Sequence, residues 1–169
     1  ENIIAGPARA RRAQYQFGTF IPKGAAGQVS AGIGPAVAPG TQTLIPPTKD
    51  ITRTGQELVV DGVRIQYQLT PATEAPAEMN LYFPQMRALC MAENAVMMMH
   101  NILTPRGALV RDAKAWSRYL DDSLVRYGEK ADVLFASHSW PVWGGQSIRT
   151  LLADQRDMRM RGNVERDAL

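Results

Sequence analysis

At 169 residues, 45% of them apolar and 21% charged, the chain can bury a core, and its composition excludes both a disordered segment and a coiled coil. The formal charge of +3 comes from Lys and Arg interspersed with acids, which argues against a nucleic-acid patch. No run approaches the roughly 18 apolar residues of a membrane span, the opening ENIIAGPARARR lacks the charged-then-apolar order of an export signal, and the single Cys90 can form no intramolecular disulfide.

Residues 3–17 carry a mixed helical pattern, with Pro7 where an early helical turn tolerates it. Over residues 18–54 glycine and proline recur, and a loop so much longer than the usual connection of about 4 to 6 residues reads as a cover over a site. Two alternating apolar runs, 58–60 and 63–69, then flank Asp61-Gly62. That dipeptide suits a tight turn with positive φ at both central positions, so a β-hairpin is predicted. Further strands are expected near 78–83 and 87–91, followed by a short methionine-rich helix within 93–103. Asp112 as N-cap and Gly128 as stop bracket an amphipathic helix, in which Ala115, Trp116, Tyr119, Leu120, Leu124 and Tyr127 recur at three- and four-residue steps. A short apolar strand over 131–136 and a helix over 145–157 complete the pattern. The expected fold is α/β, half of a layered sandwich with too few strands to close a barrel. One body spans 1–157, and 158–169 reads as a charged tail or the start of a further element.

Chemistry concentrates between Thr70 and His100. Glu74, Glu78 and Glu93 lie in and around the apolar runs MNLYF and RALCM, and carboxylates are rarely buried without a partner. Downstream, the apolar strand ends in Ser137-His138-Ser139, which delivers an imidazole to a sheet edge of the kind where ligands bind in open α/β sheets. Two carboxylates and an imidazole are a donor set for a metal such as zinc. The plain alternatives are a solvated loop charge for Glu74, a helix-start carboxylate for Glu93 and a carbonyl-bonded side chain for His138. His100 reads as a core histidine, with a supporting hydrogen bond behind the site as the other option. Arg106 and Arg111 are candidate oxyanion binders by their planar guanidinium forks, against a reading as solvated arginines. Met91 and Met97, Met98 and Met99 either line an apolar pocket for an alkyl chain or belong to the core. No G-x-S-x-G elbow supports a serine hydrolase.

The stretches PATEAPAEMNLYFPQMRALCMAEN, HNILTPRGALVRDAKAWSRYL and ADVLFASHSWPVWG closely resemble the alkylsulfatases of the metallo-β-lactamase superfamily, which hydrolyse dodecyl sulfate and related alkyl sulfate esters. GTQTLIPPT and ENIIAGPARARRAQYQFG extend the resemblance from residue 1 to about residue 157. It implies a metallo-β-lactamase-like αββα sandwich with a two-zinc site. Glu74 matches the glutamate of T-E-A-P-A-E, Glu93 that of A-E-N-A, and His138 the histidine of A-S-H-x-W-P, all three as metal ligands. Arg106 matches an arginine near the sulfate group. In that chemistry the metal pair activates water while the arginine stabilises charge on the departing sulfate.

The family's H-x-H-x-D-H motif, source of the remaining ligands, has no counterpart here, because the chain contains only two histidines. Val96-Met97 and Ser139 also stand where relatives carry Thr-His and a second histidine. The expectation is therefore the C-terminal half of the catalytic domain of a zinc-dependent alkylsulfatase-like hydrolase. A chain or fragment bearing H-x-H-x-D-H would complete it within an oligomer. The alternative is a non-catalytic assembly or binding subunit that kept the fold.

Overall fold

The computed structural model describes Pro22, Gly24, Ala25, residues 46–103 and residues 109–167, with side chains described as far as Arg161. The helix expected over 3–17, most of the long Gly/Pro segment and Arg106 lie outside the described residues. The chain divides into two compact units, Glu1–Asp50 and Ile51–Leu169. The elements below all belong to the second.

Six strands form one sheet in the order in which they occur: β1 (Glu57–Val60), β2 (Val63–Leu69), β3 (Met79–Phe83), β4 (Ala88–Cys90), β5 (Val133–Phe135) and β6 (Val142–Trp143). The hairpin forms as predicted, with Val60 opposite Val63. Asp61 at φ 49 and Gly62 at φ 80 supply the positive dihedrals that match the turn to the strand twist. All neighbours are antiparallel except β4 and β5. Parallel partners need a crossover, and α1 (Ala113–Tyr127) provides it. The Asp112 side chain caps α1 by accepting from the Ala115 amide at 2.9 Å. Gly128 ends the helix with right-handed dihedrals, so its place there needs no left-handed backbone.

Pairing register sorts the sheet into two faces. Toward α1 point Gln68, Asn80, Tyr82, Leu89, Leu134 and Val142. The last four of these pack with Trp116, Leu120 and Tyr127 of α1 and with Ile148 and Leu152 of α2 (Gly145–Asp167) into the core. The opposite face carries Ile65, Leu81, Phe83, Val133 and Phe135, all apolar and half-buried, with Phe83 and Phe135 stacked at 6.4 Å. One sheet apolar on both sides, with helices packed on one of them, is half of a layered sandwich.

Two expectations change. The methionine-rich segment after β4 is not a helix but a series of turns, because its polar groups bond to distant elements. The Trp116 indole donates to the Asn94 carbonyl at 3.0 Å, and the Asn94 amide group donates to Thr70 Oγ1 at 2.9 Å and Asn80 Oδ1 at 2.7 Å. The final helix, in turn, continues past Asp157 to Asp167. Within that charged stretch Arg159 is buried, its guanidinium 4.0 Å from the Trp116 ring centroid. Burial and the like charge of Arg111 pull its pKa down to about 10. Among the described residues no helix is long and apolar enough to cross a membrane.

Candidate metal centre

Three loops at one end of the sheet carry the titratable groups. The loop after β2 is closed by the Thr70 amide donating to the Glu78 carbonyl at 2.9 Å and by Thr73 Oγ1 donating to the Thr70 carbonyl at 2.6 Å; it presents Glu74. The turn after β4 presents Glu93. It is tied to the loop after β5, which bears His138, because the Ser137 amide and hydroxyl donate to the Ala92 carbonyl at 2.8 and 3.0 Å. Each loop contains a non-glycine residue in left-handed backbone: Ala72 at φ 62, Ala92 at φ 48 and Ser139 at φ 72. Such positions cost on the order of 1 kcal/mol or more and concentrate where a site must be held in one geometry.

Glu93 lies at the centre. Its Oε2 is 2.9 Å from His100 Nε2 and its Oε1 is 3.5 Å from His138 Nε2. Glu74, Glu93 and His100 each offer a ligand atom, all within 4.8 Å of one another. His138 stands at the rim with its side chain 60% exposed, against 18% for His100. Behind the carboxylates is Arg111, only 5% exposed. Its Nε donates to the Glu74 carbonyl at 2.9 Å and its Nη2 to Glu74 Oε1. Its Nη1 meets the Asn101 carbonyl at 2.6 Å, Asn101 Oδ1, and His100 Nδ1 at 3.0 Å. Glu78 completes the acidic group: burial first, then the charges of Glu74 and Glu93, push its pKa up to about 7.

Glu74 and Glu93, which an extended chain would hold roughly 65 Å apart, are thus brought together, and His138 reaches the exposed side of Glu93. His100 does pack against Trp116, with ring centroids 5.9 Å apart, yet it is also hydrogen-bonded into the site, so the core reading is incomplete. Arg111 commits its donors to the protein and is not available to an oxyanion. No local signal distinguishes it, since an arginine directly before a helix N-cap is ordinarily solvated. Met91 is core, whereas Met97, Met98 and Met99 are exposed beside His100.

A second feature escapes sequence reasoning. Gln68 and Asn80, which alternation along their strands would turn to solvent, are buried beneath α1. Ser123 Oγ donates to Gln68 Oε1 at 2.6 Å and Asn80 Nδ2 to the same oxygen at 2.9 Å. Through Asn80 and Asn94 this network runs from α1 to the turn that bears Glu93.

The donor chemistry suits a divalent cation. Two carboxylates and an imidazole are oxygen and nitrogen ligands of the kind that zinc accepts, and burial of a carboxylate cluster is favoured by a cation that pairs with it.

No family model matches the chain. An (R)-specific secondary-alkylsulfatase from Pseudomonas sp. is 54% identical over 159 residues, which is 94% of this chain and 24% of that protein. Alkyl/aryl-sulfatase BDS1 of Saccharomyces cerevisiae is 48% identical over 158 residues, again 94% of this chain and 24% of the relative. The chain therefore spans about a quarter of the length of the curated relatives it matches. Among solved structures, the stereoselective inverting sec-alkylsulfatase Pisa1 from Pseudomonas sp. superposes with a TM-score of 0.80 at 49% identity, covering 100% of this chain and 28% of that one. A metallo-β-lactamase family protein from Thermus thermophilus, 20% identical with a TM-score of 0.50 over 93% of this chain and 46% of its own, shares the fold. By sequence along nearly its whole length the chain is similar to a segment of these alkylsulfatases, and it has a metallo-β-lactamase-type fold.

Proposed function

We propose that this chain forms part of an enzyme that hydrolyses alkyl sulfate esters at a two-zinc site, with Glu74, Glu93 and His138 as its contribution to the ligands. The convergence of Glu74 and Glu93 from two separate loops, with His138 of a third loop 3.5 Å from Glu93 Oε1, is the observation that carries this reading. Zinc bound there would supply Lewis-acid charge and a water activated near neutral pH. The chain's own part is to hold two partly buried carboxylates in fixed orientation. Glu74 is held by Arg111, and the Glu93 loop is fixed by the Ser137 and Asn94 hydrogen bonds. Arg106, in the segment between the described residues 103 and 109, is assigned to the sulfate group, where its fork matches two oxygens. The exposed methionines next to His100 offer an adaptable apolar surface for the alkyl portion.

A segment bearing H-x-H-x-D-H, in the rest of the same protein or in a partner, completes the ligand set. The test is metal content and dodecyl sulfate hydrolysis of the assembled protein. Zinc together with activity is the expected result, and metal-free, inactive material with the histidine-bearing segment present defeats the proposal.

A further inference from the structure

His100 is the imidazole closest to Glu93, which makes it the obvious rival to His138 as a ligand, and its hydrogen bonds decide against that role. Nε2 lies 2.9 Å from Glu93 Oε2, and a carboxylate oxygen only accepts, so Nε2 carries a proton. Nδ1 lies 3.0 Å from Arg111 Nη1, and a guanidinium only donates, so Nδ1 presents a lone pair. The weaker approach of Nδ1 to the Asn101 carbonyl, at 3.3 Å, would need the opposite proton placement and would set two donors against each other at the arginine. Both ring nitrogens are therefore engaged, and neither has a lone pair to offer a cation.

We propose that Arg111 and His100 form a positioning relay. Arg111 fixes His100 as its Nε2–H tautomer, and His100 in turn pins Glu93 Oε2, leaving Oε1, on the side of His138, to face the metal. The same arginine holds Glu74 Oε1 through Nη2. One buried cation thereby orients two ligands: Glu74 directly and Glu93 through the imidazole. Groups that hold ligands from behind in this way usually change metal affinity without entering the coordination shell. The inference rests on the metal-site reading above.

Glutamine distinguishes a positioning residue from a ligand here, because its side-chain oxygen can accept from Arg111 while its N–H donates to Glu93, as the Nε2–H tautomer does. In the whole zinc-loaded enzyme, His100→Gln should bind zinc within about threefold of the parent in competition with a chromophoric chelator. His100→Ala should bind roughly 10- to 100-fold more weakly. X-ray absorption should count the same number of imidazoles per zinc in His100→Gln as in the parent. Loss of an imidazole in His100→Gln, or equal changes of affinity in the two variants, overturns the relay. Parent protein that takes up no zinc overturns the metal-site reading itself, so the two failures are distinct.

Discussion

Asn80→Ala removes the joint between helix α1 and the Glu93 turn. In the native protein Asn80 Nδ2 donates to Gln68 Oε1 at 2.9 Å, Asn80 Oδ1 accepts from Asn94 Nδ2 at 2.7 Å, and the residue is 1% exposed. After substitution Gln68 Oε1 keeps Ser123 and Asn94 Nδ2 keeps Thr70, so a single N–H of Asn94 is stranded in the interior. A stranded buried donor costs about 1–3 kcal/mol, and the lost net bonding adds about 1 kcal/mol. The expected loss is therefore about 3 kcal/mol, which for a chain of this size lowers Tm by roughly 6–12 °C. Thermal unfolding of the parent, Asn80→Ala, Asn94→Ala and the double variant measures both the loss and the coupling. Residues sharing a hydrogen bond should show a coupling of about 0.5 kcal/mol or more. A loss below about 0.5 kcal/mol, the range of ordinary surface changes, or strict additivity with Asn94→Ala, would refute the claim that the network bears on stability.

Arg111→Met keeps the volume and removes the charge, leaving Glu74 beside Glu78 and Glu93 without its ion-pair partner. The expected destabilisation is about 3 kcal/mol in metal-free protein, at the low end for a broken buried pair because Glu74 retains some exposure, and denaturant titration with bound metal removed measures it. Glu93→Ala should abolish zinc retention and sulfate ester hydrolysis while leaving the circular dichroism spectrum and Tm close to those of the metal-free parent, since the side chain is 31% exposed; a collapsed fold would show that Glu93 is structural. Asp112→Ala removes the cap on the Ala115 amide and should lower stability by about 1 kcal/mol, whereas Asp112→Asn should restore most of it, with urea midpoints as the readout.

The parts of this protein legible from its residues are those decided by near neighbours. Asp61-Gly62 announces its turn because positive φ is a property of those two residues, and the Asp112 cap with the three- and four-residue apolar period marks α1 because both depend on residues within a turn of each other. The family motifs likewise point to Glu74 and Glu93, which the fold does bring together. The turns after β4 read as helix because a methionine-rich run has good helix propensity, and nothing nearby announces that Asn94 will bond to Thr70 and Asn80 instead.

What only the tertiary structure decided is where polar groups find their partners. Gln68 and Ser123 meet across 55 positions, and Arg111 reaches Glu74 across 37. In isolation each reads as a side chain for solvent. Burying any one alone would be unfavourable, and only packing α1 and the loops at its end onto the sheet supplies these donors with their acceptors at once. For the same reason the proton position on His100 is written not in its neighbours along the chain but in the arginine and the carboxylate on either side of its ring.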